Sequence, residues 1–193
     1  MLGEVEVKAR ADDLQALAKR ASDIGGVFVC EVSQEDIYFR HPNMDLKDRD
    51  EALRLRQEGN SALLTFKGRK VGADAKMREE IEVSVSSFSE ASAILKRLGF
   101  TEGSMVRKKR RIYKVGDVIV SLDSVEGLGD FVEVEAKAAS ASIETENGVH
   151  ILEDAKAKVF DVVDRLGIPR EKLSTASYLE LLDSASSSSM AER

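Results

Sequence analysis

The stretch Gly3-Glu4-Val5-Glu6-Val7-Lys8-Ala9-Arg10 decides the fold, because charged and apolar side chains alternate along it. In a β-strand, side chains at positions i and i+2 lie on the same face. The ionisable residues of Glu4-x-Glu6-x-Lys8 therefore share one face, and the valines between them share the other. The stretch predicts a strand with one charged face and one apolar face.

The same alternation recurs along the chain and predicts a whole sheet. Candidate strands lie at Gly3–Arg10, Val27–Phe39, Ala52–Gln57, Ala62–Lys67, Met77–Val85, Val106–Val115, Asp117–Asp123 and Phe131–Ala138. Turn residues predict hairpins at Glu58-Gly59-Asn60-Ser61 and at Val115-Gly116-Asp117. The strands after the first carry further ionisable residues on their charged faces: Arg54, Arg56, Lys67, Arg78, Glu80, Glu82, Lys108, Arg110, Asp123, Glu133 and Glu135.

Between the strands, the apolar period changes to that of a helix. Helices are predicted at about Asp12–Ile24, Ser87–Gly99, Gly148–Leu166 and Ser177–Leu182. Each of the first three follows a strand with two carboxylates at i and i+2, so the sheet is predicted to be built from related strand–helix units. The serine-rich segment 184–193 is predicted to be a disordered tail, which leaves residues 1–183 as one domain.

A charged face on one strand is typical of a surface in contact with solvent. Here nearly every strand has one, and helices are available to cover the apolar faces. We therefore expect an α+β fold: a closed, eight-stranded, mostly antiparallel β-barrel with helices packed outside and charges directed into its lumen. Buried charges require partners or a ligand. A polyphosphate with divalent cations satisfies both signs, because Arg and Lys bind phosphate oxygens and carboxylates bind Mg²⁺ or Mn²⁺.

The bulk composition narrows the class of protein. The chain has 193 residues, 42% hydrophobic and 33% charged, with a formal net charge of −6. This acidic balance argues against nucleic-acid binding, which usually shows a basic surplus. The single cysteine, Cys30, excludes an intrachain disulfide and is predicted to be a core residue. No apolar run approaches the roughly 18 residues of a membrane span, and no secretory signal is visible, so we expect a cytoplasmic protein without membrane partners.

The charged motifs, taken in order, resemble those of the CYTH superfamily of class IV adenylyl cyclases and thiamine or inorganic triphosphatases. Glu4-x-Glu6-x-Lys8 looks like the family's ExExK signature. Similar motifs follow at Gln34–Phe39, Leu53–Arg56, Leu64–Gly68, Arg78-x-Glu80-x-Glu82, Lys108-x-Arg110 and Leu122–Glu135. Ser177–Leu182 resembles the C-terminal motif of the cyclase-like branch. The resemblance covers residues 3–182 and implies an eight-stranded antiparallel triphosphate tunnel.

The resemblance also implies roles for the charged residues. The residues expected to contact the triphosphate are Arg54, Arg56, Lys67, Arg78, Lys108 and Arg110. Those expected to hold Mg²⁺ or Mn²⁺ are Glu4, Glu6, Asp123, Glu133 and Glu135, with Glu80 and Glu82 as additional candidates. The catalytic candidates are Lys8, Arg110 and Glu133. For Lys8, both a proton-accepting role and a phosphate contact are open.

Two reactions can share such a tunnel. The preferred hypothesis is a class IV-type adenylyl cyclase, in which the ribose 3′-hydroxyl of ATP attacks the α-phosphorus and pyrophosphate leaves. The alternative is a triphosphatase, in which water attacks the terminal phosphorus of thiamine triphosphate, a nucleoside triphosphate or tripolyphosphate. A third hypothesis is a non-catalytic polyphosphate- or nucleotide-binding module. The C-terminal motif and the Gly127-Leu128-Gly129-x-Phe131 form favour the cyclase-like branch.

These roles predict the effect of mutations in the lumen. Replacing Arg110 or Glu133 by Ala is expected to abolish turnover with little loss of folding. The expected partner is a small-molecule triphosphate. A homodimer, which is common among similar cyclases, is left open by the sequence.

Overall fold

The computed structural model describes residues 2–72, 74–139 and 146–191. Its strands are β1 (Leu2–Arg10), β2 (Val27–Arg40), β3 (Ala52–Glu58), β4 (Ser61–Lys67), β5 (Lys76–Val85), β6 (Thr101–Val115), β7 (Val118–Val125) and β8 (Gly129–Ala139). They form a closed barrel in the order β1-β5-β4-β3-β2-β6-β7-β8. Every neighbouring pair is antiparallel. The predicted closed, eight-stranded barrel is confirmed.

The helices lie at α1 (Leu14–Asp23), α2 (Phe88–Arg97), α3 (Glu146–Arg165) and α4 (Tyr178–Ala191), with a 3-10 turn at Arg170–Lys172. The first three follow β1, β5 and β8, as the predicted strand–helix units require. Side-chain caps explain where two of them begin. Asp13 accepts hydrogen bonds from the backbone N–H groups of Gln15 and Ala16, and Ser87 accepts one from that of Glu90. None of the helices in the described segments is long and apolar enough to span a membrane.

Helix α4 is longer than the predicted Ser177–Leu182. It runs on to Ala191 and so takes in most of the serine-rich segment, where the sequence predicts a disordered tail. A helix that has already nucleated adds residues at little cost, and serine is only moderately unfavourable in a helix. The domain boundary at residue 183 stays a prediction.

The apolar faces of the strands lie outside the barrel, where helices cover them. Helix α3 packs on β8, β1 and β7, while α2 packs on β3, β4 and β6. Val5 and Val7 of β1 belong to the same buried cluster as Val159 and Val163 of α3. Complete burial of such a side chain contributes about 1.5–3 kcal/mol. The apolar faces therefore turn outward to the helices, and the charged faces turn inward.

The beginning of β2 departs from the prediction. Val27, Phe28 and Val29 are 67%, 52% and 54% exposed, and Cys30 is only partly buried. The expectation that Cys30 is a core residue is therefore wrong. The cause is the pairing: β2 pairs with β3 only from Gln34 onward, so the residues before it have β6 as their neighbouring strand on one side alone.

Candidate active site

The inward faces of the strands form one charged tunnel, and nearly all the predicted site residues meet in it. The predicted residues that line it are Glu4, Glu6, Lys8, Arg54, Arg56, Lys67, Arg78, Glu80, Glu82, Lys108, Arg110, Glu133 and Glu135. Asp123 does not line the cavity, because it lies fully buried behind Arg110. Burial of this many charges is stable only if they are paired or liganded, so their pairing decides what the tunnel can bind.

Three of the five predicted metal ligands form a group. One carboxylate oxygen from each of Glu4, Glu6 and Glu135 lies within 4.8 Å of the others. The barrel register explains this, because Glu6 pairs directly with Glu135 across β1 and β8, and Glu4 shares the inward face of β1. Oxygen donors of this kind suit hard cations such as Mg²⁺ and Mn²⁺.

Two members of this group differ from Glu6 in that no described cation forms a direct ion pair with them. Among the residues that the structure describes, neither Glu4 nor Glu135 forms an ion pair within 4.0 Å. Burial raises the pKa of Glu4 to about 8, although the charge of Lys67 opposes this. Burial also raises the pKa of Glu135. A divalent cation would remove the repulsion between these carboxylates, so the donor set fits the metal that the sequence predicts.

Glu6, unlike Glu4 and Glu135, forms direct ion pairs with two lysines. Its Oε1 accepts hydrogen bonds from Lys8 Nζ at 2.8 Å and Lys76 Nζ at 2.6 Å, and the pKa of Glu6 falls well below its usual range because these ammoniums outweigh the effect of burial. Both donors reach the same oxygen, so the other carboxylate oxygen can still bind a metal. Lys76 was not predicted as a site residue, since the strand predicted from the sequence begins at Met77.

The other two predicted metal ligands are engaged by Arg110. Its Nε and Nη2 donate to the two oxygens of Asp123 at 2.7 and 2.5 Å, and Nη2 also donates to Glu133. The arrangement follows from the register, because Arg110 pairs directly with Asp123 across β6 and β7. Despite burial, the nearby cations Lys8 and Arg110 hold the pKa of Glu133 well below its usual range. Asp123 and Glu133 are thus neutralised by a cation.

Lys8 occupies the centre of this network. It is 2% exposed and forms ion pairs at 2.8 Å with both Glu6 and Glu133. These carboxylates outweigh burial and raise the pKa of Lys8 above its usual value. Lys8 therefore stays protonated, which favours the phosphate contact over the proton-accepting role that the sequence left open.

The arginines of β3 are oriented by Asp36, a residue for which the sequence predicted no role. Asp36 of β2 accepts two hydrogen bonds from Arg56, from Nε at 2.6 Å and Nη2 at 2.7 Å. These bonds and the charges of Arg56 and Arg54 hold the pKa of Asp36 well below its usual range in spite of burial. The signal was present in the sequence, since Asp36 and Tyr38 share a strand face.

Two further cations of the tunnel are suited to an anionic ligand: Arg54 has a hydrogen-bond donor without a described partner, and Lys108 has a lowered pKa. The Nε of Arg54 is buried without a hydrogen-bond partner in the part of the chain that the structure describes. Lys67 and Arg78 both contact Glu80, the latter from Nε at 3.3 Å. Burial and the neighbouring Arg110 lower the pKa of Lys108 to about 7. An anionic ligand would satisfy the free Arg54 donor and stabilise the charged form of Lys108.

The C-terminal helix also reaches the tunnel. Tyr178, the first residue of α4, lines the cavity and donates a hydrogen bond to Asp123. Burial and the charges of Glu133 and Asp123 raise its pKa well above 10, so the hydroxyl keeps its proton. The sequence motif around Tyr178 did not predict this role, because nothing in strand periodicity places a helix residue in a barrel lumen.

Comparison with known proteins agrees with this architecture. The CYTH domain matches residues 3–178 of the chain. A Methanocaldococcus jannaschii protein named "Putative adenylate cyclase" is 38% identical over 178 residues, 92% of this chain and 97% of that protein. The structure of the PH1819 protein from Pyrococcus horikoshii OT3 has a TM-score of 0.79 and 34% identity, over 94% of this chain and 99% of its own. A Hippeastrum "putative adenylyl cyclase" described as having a dominant triphosphatase activity has a TM-score of 0.66 and 20% identity, over 96% of each chain, a likeness that shows the fold.

Proposed function

Since the chain belongs to the CYTH domain family, we propose that it is a divalent-metal-dependent enzyme acting on a nucleoside triphosphate. The reaction that we propose is that of a class IV adenylyl cyclase. The ribose 3′-hydroxyl of ATP attacks the α-phosphorus, the bond to the bridging oxygen breaks, pyrophosphate leaves and the hydroxyl proton is released to solvent. One observation carries the proposal: the tunnel is lined by buried cations and by Glu4 and Glu135, two carboxylates that form no ion pair within 4.0 Å with the residues that the structure describes.

The cations of the tunnel would hold the triphosphate and stabilise the charge that develops on pyrophosphate. Arg54 has an unused buried donor, and Arg56 is oriented by Asp36. Guanidinium groups held in this way bind phosphate oxygens without first having to reorganise. The remaining contacts that we propose are Lys8, Lys67, Arg78, Lys108 and Arg110.

Glu4, Glu6 and Glu135 would hold Mg²⁺ or Mn²⁺, which neutralises charge on the phosphate oxygens when bound. Glu133 remains a proposed ligand as well, whereas for Asp123, which lies behind Arg110 and does not line the cavity, we propose that it orients Arg110 instead of binding the metal. In the structure Arg110 binds both of them. Arg110 can exchange Glu133 for a phosphate oxygen, and this exchange would free the Glu133 carboxylate for the metal. Glu80 and Glu82 pair with cations of the tunnel, so we propose that they orient those cations.

A triphosphatase is the second candidate. Water would attack the terminal phosphorus, and orthophosphate would leave. The observation in its favour is that the cations lining the tunnel, which we propose bind the triphosphate, would serve both reactions, and none of them selects the phosphorus that is attacked. The likeness in fold to the Hippeastrum protein is consistent with this second reaction.

Product analysis separates the candidates. The protein is incubated with ATP, thiamine triphosphate or tripolyphosphate, with Mg²⁺ or Mn²⁺, and the products are separated by chromatography. Cyclic AMP with equimolar pyrophosphate is the expected result. Orthophosphate without cyclic AMP would replace the cyclase by the triphosphatase. Calorimetric binding of tripolyphosphate without turnover under either metal would instead show a non-catalytic binding module. Arg54→Gln should lose activity, while Arg111→Gln, on the outward face of β6, should keep it.

A further inference from the structure

Tyr178 is the point at which the C-terminal helix joins the charged network. Its hydroxyl donates to Oδ2 of Asp123 at 2.8 Å. Its ring centre lies 4.5 Å from Lys8 Nζ and 4.8 Å from Lys108 Nζ, within the range of a cation–π interaction. The ring also packs edge-on against Phe131, with 5.2 Å between ring centres. One side chain therefore contacts an anion and two cations of the site.

Asp123 transmits the effect of this contact. It is fully buried, and it accepts two hydrogen bonds from Arg110 besides the one from Tyr178. Lys108 lies 3.7 Å from the same oxygen that Tyr178 binds. Because Tyr178 fixes this carboxylate from the side of α4, it also restricts where Arg110 and Lys108 can point.

We propose that Tyr178 is a positioning residue that holds Arg110, Lys108 and Lys8 in their phosphate-binding orientation. The C-terminal helix therefore completes the site, although the barrel supplies the charges. The inference rests on the proposed function only in taking a triphosphate as the ligand of the tunnel.

Hydrogen bonds and ion pairs at the start of α4 fix the position of Tyr178. Ser177 and Glu180 form a reciprocal capping box: Glu180 N donates to Ser177 Oγ at 3.2 Å, and Ser177 N donates to Glu180 Oε2 at 2.6 Å. Lys70, in the loop after β4, forms ion pairs with Glu180 at 2.6 Å and Asp50 at 3.2 Å. These contacts tie the start of the helix to two loops of the barrel.

Apolar contacts inside the barrel complete the docking. Tyr178 is buried in a cluster with Val106, Val125 and Phe131, against which Leu181 packs. The cluster lies on the inward faces of β6, β7 and β8, so α4 closes part of the lumen rather than covering the outer surface. Tyr178 therefore has a fixed position from which it can restrain the charges.

Binding measurements on the full chain test the proposal. Tripolyphosphate is titrated into the protein in EDTA, where turnover cannot interfere. Tyr178→Phe keeps the ring and loses the hydroxyl, and we expect its Kd to rise about tenfold, equivalent to about 1.4 kcal/mol. Tyr178→Leu loses the ring as well and should bind more weakly still. The matched control is Tyr113→Phe, because Tyr113 is a buried tyrosine of the outer core, and its Kd should stay within about twofold of wild type.

Stability and kinetics distinguish positioning from simple support of the fold. The Tm of Tyr178→Phe should stay within about 3 °C of wild type. With metal and substrate, its KM should rise about tenfold, because the restrained cations hold the bound triphosphate. Its kcat should fall as well, because the same cations stabilise the charge that develops on pyrophosphate. Equal Kd values for Tyr178→Phe and Tyr113→Phe would overturn the proposal, as would a rise in Kd explained by a large fall in Tm. If wild type binds tripolyphosphate but turns over no triphosphate, the proposed function fails while the Kd comparison still decides the role of Tyr178.

Discussion

Replacing Arg110 by Ala is the perturbation for which the structure changes the expectation most. The sequence alone predicts loss of turnover with little loss of folding. In the structure, Arg110 is buried and bonds to both Asp123 and Glu133, so its removal leaves two buried carboxylates with fewer partners. Removing one partner of a buried ion pair typically costs about 3–5 kcal/mol. We therefore expect a substantial loss of stability in addition to the loss of turnover.

The neighbouring cations set the magnitude within that range. Glu133 keeps Lys8 at 2.8 Å, and Asp123 keeps Lys108 at 3.7 Å and the hydroxyl of Tyr178. This remaining compensation places the loss near the lower limit, at about 3 kcal/mol. For a domain of this size, each kcal/mol shifts Tm by about 2–4 °C, so the expected fall in Tm is about 6–12 °C.

Thermal unfolding followed by circular dichroism measures this, with urea unfolding as a second estimate of the free energy. Arg111→Ala is the matched control, since the next residue of β6 faces outward and its contact is with Gln15. Its Tm should stay within about 2 °C of wild type. Adding Glu133→Gln to Arg110→Ala should restore part of the lost stability. If Arg110→Ala and Arg111→Ala unfold at the same temperature, the carboxylates of Asp123 and Glu133 are not buried charges. The inward orientation of the charged strand faces would then be refuted.

Three further predictions follow from individual contacts. Glu4→Gln should weaken Mn²⁺ binding to the complex of the protein with tripolyphosphate at least tenfold, because it removes a metal donor. Calorimetry measures this, and Glu31→Gln, at an exposed position, should leave the affinity unchanged. Equal affinities of the two variants would contradict the metal assignment. Arg56 lowers the pKa of Asp36, so the Asp36 carboxylate stabilises the fold above its usual pKa of 3.8 and loses this effect as pH falls. The Tm difference between wild type and Asp36→Asn should therefore shrink from about pH 5 to about pH 3. A constant difference would exclude this linkage. Lys70→Met should speed hydrogen exchange at the start of α4 with little effect on the strands. Added salt should also speed this exchange in wild type. Unchanged exchange would show that the ion pairs of Lys70 do not hold the helix.

Much of the barrel could be predicted because its information is local. Alternation of charged and apolar residues assigns both faces of each strand, and glycines mark the tight turns. Gly59 and Gly116 adopt positive φ angles of 55° and 59° at the predicted hairpins β3–β4 and β6–β7. A hairpin turn also fixes register, so the pairing of Arg110 with Asp123 follows from the turn at Gly116.

The departures from prediction have an equally physical origin. The apolar run at the start of β2 resembles a core strand, yet its burial depends on its neighbours. Sequence periodicity cannot show that, within the described residues, this part of β2 pairs with β6 and not with β3. Lys76 was missed because strand ends are the least certain part of a pattern. The length of α4 was underestimated because serine is a poor indicator of helix even where the helix continues.

The sequence by itself determined which residues face the lumen, because the two-residue period of a strand leaves no other choice once the apolar faces are covered. The tertiary structure decided which of those charges are neutralised. The pairings of Glu6 with Glu135 and of Lys8 with Glu133 arise only when β1 closes the barrel against β8, over a long sequence separation. Closure therefore brings Glu4 and Glu135 together without an ion pair to any described residue, while Arg110 engages Asp123 and Glu133. Tyr178 enters the same network only because α4 folds back onto the lumen.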